Sequence, residues 1–314
     1  MTNLIAGIDI GGTKIALALA APNCEIVCRA TVPTLVEQGA ARIFDRMLAR
    51  LEEMREQQNA QISKIGVGCA GPLDLKRGVA VSPPNLPGWN NFPIVQTIRE
   101  RFGATVVLDN DANVAALAEQ RFGAGKNLQN LVYITVSTGI GGGVIADNRL
   151  LHGLTGNAGE VGHIVVMPGG VECGCGARGC LEAVCSGTGI ARRFRARIET
   201  GAKSVLTEKF ENISQITAKH IAEAAAANDC LASEIWDETV FYLARGVGNI
   251  IVMFEPEAVI LGGGVAQTGD LLFKPLRELV KNQIKIFSTE NIKILPAGLG
   301  ADSGIYGALA LVAD

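Results

Sequence analysis

The sequence has little charge and no long apolar run. Charged residues make up 19% of its 314 residues, the formal net charge is −3, and lysine and arginine form no cluster. Nucleic acids and anionic membranes are bound through basic surfaces, so we expect neither as a partner. No stretch reaches the roughly 18 uninterrupted apolar residues of a membrane helix. The first residues lack the basic start and apolar run of a signal peptide, which predicts a cytoplasmic protein.

Cysteine is distributed in a way that disfavours a disulfide framework. Three of the eight cysteines are bunched, and the other five are scattered through apolar surroundings. This distribution is typical of a reducing compartment with one metal site. A redox C-x-x-C pair is absent. The bunched residues are Cys173, Cys175 and Cys180.

The opening of the chain recurs in its second half. "NLIAGIDIGGTKIALALAAPNCEIV" predicts strand, glycine turn, strand, turn and strand, and "NLVYITVSTGIGGGVIADNRLLHG" repeats that order. The recurrence predicts two similar lobes, each offering a glycine hairpin to a cleft. The alternative is that any β-rich start looks like this. Helical periodicity is expected at 43–54, 93–101, 111–122, 216–227, 231–253 and 303–312, and further strands at 64–69, 105–108, 258–261 and 292–296.

The glycine turns carry polar side chains that suit nucleotide phosphates. In the first turn, Asp9 precedes Gly11, Gly12, Thr13 and Lys14. Glycine N–H groups can converge on a phosphate, and an aspartate suits a hydrated Mg²⁺ beside it. Similar turns follow at 137–139 and 262–264. An ordinary hairpin is the alternative, whereas the spacing of a Walker loop and the helix of a dinucleotide fingerprint are missing.

Two further groups of polar residues are candidates for chemistry. Asp109-Asn110-Asp111 lies between a strand and a helix, where Asp111 could accept a proton and Asn110 could hold the acceptor, unless an aspartate caps the helix. His163 and the bunched cysteines form a C-x-C-x4-C set typical of structural zinc, with unliganded cysteines as the alternative.

Two acids flank the zinc set. Glu160 and Glu182 bracket it and would offer a hydrogen-bonding rim to a polyol, unless they are surface charge. We expect His152 and His220 to be structural or exposed. The sequence therefore predicts a phosphate site, a carboxylate base and a zinc-braced polar rim.

Together, these motifs resemble those of the ROK family of sugar kinases, most closely its glucokinase branch. The resemblance covers essentially the whole chain and is carried by 9–14, 110–113, 137–143, 159–163 and 173–182. It implies an α/β, actin-like (ribonuclease-H-like) fold with two lobes around a cleft. It also implies ATP, Mg²⁺ and structural Zn²⁺, with transfer of the γ-phosphoryl group to the 6-hydroxyl of a hexose.

The resemblance gives each motif an expected role. Asp111 would be the general base, and Asp9 would orient Mg²⁺. The sugar contacts would be Gly71, Asn110, Asp111, Glu160, His163 and Glu182. The nucleotide contacts would be Asp9, Gly11, Gly12, Thr13, Lys14, Thr138, Gly139, Gly141, Gly142, Gly143, Gly187 and Gly263. The zinc ligands would be His163, Cys173, Cys175 and Cys180.

The domain boundaries and the substrate are also expectations at this point. The lobes are expected at 1–118 and 119–301, with a last helix at 302–314 packing back on the first lobe, and the family suggests a homodimer or homotetramer. The stretch "SPPNLPGWNNFPI" resembles the glucokinase version of the segment on the sugar side, and the resemblance therefore favours glucose. The alternatives are N-acetylmannosamine, N-acetylglucosamine or another hexose, and a sugar-sensing repressor with a winged helix, which the few residues ahead of Asp9 disfavour.

Overall fold

The computed structural model describes residues 2–313, which fall into two compact units. Unit 1 runs to Asn127 and also contains Leu150–Ala158 and the chain from Leu299 onward. Unit 2 contains Leu128–Arg149 and Gly159–Gly298. The division differs from the expected one because residue 118 lies inside a helix, all of which belongs to unit 1, as does the excursion 150–158.

Unit 1 is built on a five-stranded sheet in the order β3-β2-β1-β4-β7. β1, β2 and β3 are antiparallel, whereas β1, β4 and β7 are parallel. The strands are β1 (Thr2–Ile10), β2 (Lys14–Ala20), β3 (Ile26–Pro33), β4 (Ala60–Cys69) and β7 (Thr105–Asn110), and β5 (Leu73–Asp74) pairs with β6 (Val79–Ala80) in a separate ribbon. Apolar runs rather than alternation dominate β1, as expected of a strand covered on both faces.

Helices cover both faces of this sheet. On one face α1 (Ala40–Gln57) packs its predicted apolar stripe against the strands, since Ile43, Met47 and Leu51 are fully buried. Toward the other face lie α3 (Asp111–Phe122) and the last helix α10 (Ser303–Ala310), which contacts β1, β4 and α3. α2 (Ile94–Phe102) precedes β7.

Small residues let α10 lie directly on its neighbours. A Cβ at Gly66 of β4 would lie 1.7 Å from the carbonyl oxygen of Ala308, and one at Gly307 would lie 1.9 Å from that of Val114. Side chains at these positions would push the helix off the sheet. The glycines therefore fix the packing distance between α10, β4 and α3.

Unit 2 repeats the same sheet. Its order is β10-β9-β8-β11-β12, with β8 antiparallel to β9 and parallel to β11, which is parallel to β12. The strands are β8 (Leu131–Val136), β9 (Ile140–Ala146), β10 (Arg149–Leu150), β11 (Ala258–Gly262) and β12 (Lys293–Pro296). The helices are α4 (Leu181–Cys185), α5 (Gly187–Glu199), α6 (Leu206–Lys209), α7 (Ala218–Ala226), α8 (Cys230–Phe254) and α9 (Asp270–Gln283).

The two sheet orders correspond strand for strand. In each unit the first two strands pair antiparallel, the third strand lies beside the second, and two later strands add in parallel beside the first. The duplication predicted from the recurring hairpin is thus confirmed, and so is the α/β class. Among residues 2–313, no helix combines the length and apolarity needed to cross a membrane.

Candidate active site

Parallel register brings the polar ends of three strands of unit 1 into one row. Ile10 of β1 pairs with Cys69 of β4, which pairs with Asn110 of β7. Asp9 precedes this row by one residue on β1, and Asp111 follows it by one residue as the first residue of α3. The carboxyl ends of parallel strands are where α/β sheets bind ligands. The candidate site in unit 1 therefore lies at this edge of the sheet.

The turn from β7 into α3 presents Asp111. Asn110 is the helix cap, since its side-chain oxygen accepts a 2.9 Å hydrogen bond from the Ala112 N–H. Asp111 Oδ1 accepts from the same N–H at 2.8 Å. Asp111 keeps a solvent-accessible surface, yet burial among protein atoms raises the pKa of its carboxyl group. Of the residues expected to contact sugar, Gly71 lies beside this turn, because a Cβ there would be 3.1 Å from Asn110 Nδ2.

Hydrogen bonds and a neighbouring chain segment hold the first glycine turn in place. Gly11 N–H donates to the Lys14 carbonyl at 3.1 Å, and the Thr34 hydroxyl donates to the Gly11 carbonyl at 2.6 Å. A Cβ at Gly12 would lie 2.8 Å from the Asn85 carbonyl oxygen, so the chain passes close behind the turn. Thr13 and Lys14 remain exposed. The turn is a rigid one with its hydroxyl and ammonium groups available.

The surroundings of Asp9 disfavour its charged form. Its carboxyl group is largely buried, and this burial, together with the nearby charge of Asp111, raises its pKa to about 6 against the opposing effect of Lys14. Two acids held this close favour a bound cation, because a divalent ion relieves both their repulsion and their desolvation. The residues present therefore fit a hydrated Mg²⁺.

A histidine that sequence reasoning passed over lies in the same region. His152 was expected to be structural or exposed; its side chain is 43% exposed, and its Nε2 lies 2.6 Å from Asp109 Oδ2. Asp109 is 3% exposed, so this contact is formed with a buried carboxylate. The two residues are 43 positions apart, and neither stands in a local motif that signals the pairing.

In unit 2, the second and third glycine turns adjoin each other. Gly187 N–H donates to the Ser137 carbonyl at 2.7 Å, and Val265 N–H donates to the Val136 carbonyl at 3.0 Å. Gly263 has a φ of +84°, and a Cβ there would lie 2.4 Å from the Val136 oxygen. Glycine is required by both the conformation and the space. The structure thus brings Thr138, Gly139, Gly187 and Gly263 together.

Two predicted nucleotide contacts are corrected by the structure. Gly142 and Gly143 are buried within β9, opposite Ile134 and Tyr133, rather than at the turn. A Cβ at Gly142 would meet the Val161 side chain at 2.6 Å and the Gly159 carbonyl at 2.7 Å. These glycines allow two chain segments to approach each other. Gly141 is half-buried in the same strand.

A cavity of about 720 Å³ opens beside these turns, entirely within unit 2. Its volume is within the range of small-molecule sites. Ser137, Thr138, Gly187 and Gly264 line one side. The other walls of the cavity were not predicted from the sequence. They come from α5, α7 and the residues just before it, α8 and the segment after β11. Their residues include Arg195, Ile216, Thr217, Ala222, Trp236 and Leu271.

The predicted zinc ligands cluster as expected from their spacing. One ligand atom from each of His163, Cys173, Cys175 and Cys180 lies within 4.8 Å of the others. His163 Nδ1 is 3.7 Å from Cys173 Sγ, and the Cys175 and Cys180 sulfurs are 3.8 Å apart. Tetrahedral zinc with sulfur ligands at 2.3 Å requires a sulfur–sulfur separation of about 3.8 Å. The four side chains fit a closed zinc site.

Glu182 lies between the cysteine cluster and the second glycine turn. One carboxylate oxygen accepts a 2.8 Å hydrogen bond from the Ile140 N–H, and the other is 4.0 Å from Cys173 Sγ. A Cβ at Gly139 would lie 2.5 Å from the first oxygen, so the approach requires glycine. Glu160 Oε2 is 3.9 Å from His163 Nε2, the ring nitrogen turned away from Cys173.

Comparison with known proteins identifies the family. The ROK family model matches residues 5–314. The chain belongs to the ROK family. A glucokinase from Thermotoga maritima is 37% identical over 310 residues, which cover 99% of this chain and 97% of the relative.

Solved ROK structures match the fold over nearly the whole chain. A ROK hexokinase from Thermus thermophilus has a TM-score of 0.83 at 34% identity, covering 99% of this chain and 97% of the other. A ROK glucokinase from Streptomyces griseus, in complex with glucose and AMPPNP, has a TM-score of 0.79 at 34% identity, covering 98% of both chains. The family resemblance and the actin-like fold expected from the motifs are therefore confirmed.

The raised pKa of Asp9 predicts that removing its charge increases the free energy of unfolding, and that the increase depends on pH. The carboxyl group has a pKa of about 6 when folded, against 3.8 as its ordinary value. The folded state therefore binds the proton more tightly, and ionisation costs stability as pH rises from about 4 to 6. The full cost above pH 6 is about 3 kcal/mol. Asp9→Asn should stabilise the protein by up to that amount at pH 8 and by about half as much at pH 5.

Urea unfolding at both pH values, in buffer without added magnesium, measures this difference. Asp45→Asn is the matched control, because Asp45 is an exposed aspartate on α1. A gain that is equal at pH 5 and pH 8 would contradict the account.

Proposed function

We propose that the protein is a glucokinase, which transfers the γ-phosphoryl group of ATP to the 6-hydroxyl of glucose. The observation that carries the proposal is the accessible Asp111 carboxylate, with a raised pKa, at the cap of α3 beside Asn110. Full-length similarity to glucokinases supports glucose as the substrate. N-acetylmannosamine and N-acetylglucosamine kinases of the same family are the second candidates.

Asp111 serves as the general base in this proposal. Phosphoryl transfer requires a group that accepts the proton of the attacking hydroxyl. The hydrogen bond from the Ala112 N–H holds one oxygen of Asp111 and fixes the direction of the carboxylate. Asn110 and Gly71 adjoin it and would contact the sugar. A raised pKa makes the carboxylate a stronger base than a free aspartate.

The glycine turns would hold the nucleotide. Gly11, Gly12, Thr13 and Lys14 offer N–H groups, a hydroxyl and a cation to phosphates from unit 1. Thr138, Gly139, Gly187 and Gly263 would do the same in unit 2. The adjoining cavity is lined by apolar and hydroxyl side chains together with Arg195, Lys219 and Glu223, and would suit an adenine nucleoside. Asp9 would hold the water shell of Mg²⁺, which neutralises phosphate charge when bound.

The polar rim of the cysteine cluster would bind hexose hydroxyls. With His163 Nδ1 directed at the cysteines, its Nε2 is left to meet Glu160 or a sugar hydroxyl. Glu182 offers a carboxylate whose position is set by Ile140. A zinc ion held by His163, Cys173, Cys175 and Cys180 would fill all four positions with protein ligands and so play a structural role.

Other expectations rest on the sequence alone and stay predictions. They are a homodimer or homotetramer, a cytoplasmic location, and the lack of a nucleic acid or membrane partner. A repressor function is a weaker proposal than a kinase function, because binding a sugar without phosphorylating it requires no general base at Asp111.

The substrate proposal predicts a clear order among hexoses. With ATP and Mg²⁺ in a coupled assay of ADP release, kcat/KM should be highest for glucose, compared with mannose, N-acetylglucosamine and N-acetylmannosamine. A higher value for an N-acetylated sugar would make the second candidate correct. ADP release that no hexose stimulates would exclude the kinase.

Removing the base should separate turnover from binding. Asp111→Asn keeps the size of the side chain but not its proton acceptor, so kcat should fall by about 100-fold or more. Glucose affinity, followed by calorimetry, should stay close to that of the unchanged protein. In the unchanged protein, kcat should fall toward acidic pH, as the raised pKa requires. Asp45→Asn is again the control, and near-normal turnover of Asp111→Asn would remove Asp111 from this role.

Loss of one thiol should release the zinc. Cys175→Ser removes an exposed sulfur without opening a core cavity, and Cys230→Ser, another exposed cysteine, is the matched control. Elemental analysis should find about one zinc per chain in the control and much less in Cys175→Ser. Glucose KM should rise in Cys175→Ser because Glu182 and His163 lose their support. An active protein without zinc would refute the structural role.

A further inference from the structure

Asp109 is a buried carboxylate that holds residues on both sides of Asp111. Its Oδ1 accepts from the Asn110 backbone N–H at 2.7 Å and from the Asn113 side-chain amide at 2.8 Å. Asn110 precedes Asp111 and Asn113 follows it by two positions. The orientation of the Asp109 side chain therefore affects the whole turn that carries the proposed base.

The second oxygen of Asp109 is held by His152. The Nε2–Oδ2 distance is 2.6 Å. Because a carboxylate only accepts, Nε2 must carry the proton and donate it. Asp109 is 3% exposed, whereas the His152 side chain is 43% exposed, so the imidazole supplies this donor and also covers the carboxylate from solvent. Without His152, Oδ2 would lose its fixed donor, and Asp109 would be held less firmly against the Asn110 N–H and the Asn113 amide.

His152 reaches Asp109 through an excursion of the chain. Leu150–Ala158 belongs to unit 1, although the residues before and after it belong to unit 2. The excursion closes on itself, since the Ala158 N–H donates to the His152 carbonyl at 3.2 Å. Its histidine thus comes from a loop separate from the sheet that carries Asp109.

We infer that His152 is a positioning residue for the Asn110–Asp111 turn, acting through Asp109. The inference rests on the proposed function for the meaning of that turn. His152 does not itself take part in proton transfer here. It fixes Asp109, and Asp109 fixes the direction from which Asp111 meets a hydroxyl.

Two variants of His152 separate this role from a general loss of structure. His152→Leu removes the donor, whereas His152→Gln can place an amide N–H near Asp109. Arg101→Leu is the control. It breaks an exposed ion pair between Arg101 of α2 and Glu52 of α1, and both helices belong to the same unit as His152. We expect His152→Leu to lower kcat with glucose by about 10-fold or more, because small misplacements of a catalytic group are costly. Its KM for ATP should stay unchanged, and both His152→Gln and Arg101→Leu should retain most of the activity.

Hydrogen–deuterium exchange of the free proteins gives a second readout that needs no substrate. Residues 109–113 should exchange faster in His152→Leu than in the unchanged protein, His152→Gln or Arg101→Leu. Unaltered exchange there would overturn the inference, and so would an unaltered kcat in an active enzyme. If the unchanged protein phosphorylates no hexose, the proposed function fails, but the exchange comparison still decides whether His152 positions the turn.

Discussion

Parallel pairing of β1, β4 and β7 is the constraint on which the acidic site depends. It aligns Ile10, Cys69 and Asn110. The strands that end about 60 and 100 positions after the first hairpin therefore reach the same edge of the sheet as Asp9. The pairing is held by burial on both faces, with α1 on one side and α10 on the other. Because Gly66 and Gly307 set how closely α10 lies, even the last helix contributes to the position of the strand ends.

The same burial disfavours the charged forms of the two acids at this edge. Asp9 and Asp111 both have raised pKa values, and for Asp9 the second-largest cause after burial is the charge of Asp111. Stability alone does not favour two such acids side by side, because burial and mutual repulsion both disfavour the charged form of Asp9. A cation at this edge and a carboxylate base at Asp111, as proposed above, would account for the pair. Shifted pKa values at neighbouring acids are typical of functional sites.

The parts of this site that could be predicted from the sequence are those formed by residues close together along the chain. The glycine turns, the strand–turn–helix at Asn110 and the cysteine spacing are visible within a few residues, and the structure brings each group together. Gly142 and Gly143 were misjudged because a glycine that lets two chains pack looks the same in sequence as one that admits a ligand. His152 and the cavity wall at Arg195 and Trp236 depend on distant elements meeting, which periodicity does not encode.

Glu182 connects the cysteine cluster to the second glycine turn. Glu182 follows Cys180 in the first turn of α4, so the cysteine loop sets where its backbone lies. Its carboxylate accepts from Ile140, at the turn that carries Thr138 and Gly139. A change in the cysteine loop would therefore move both the Glu182 carboxylate and its contact with the second glycine turn. Because the two are coupled through one side chain, a zinc ion without an open coordination position would, on the proposed function, still affect how sugar and nucleotide are held.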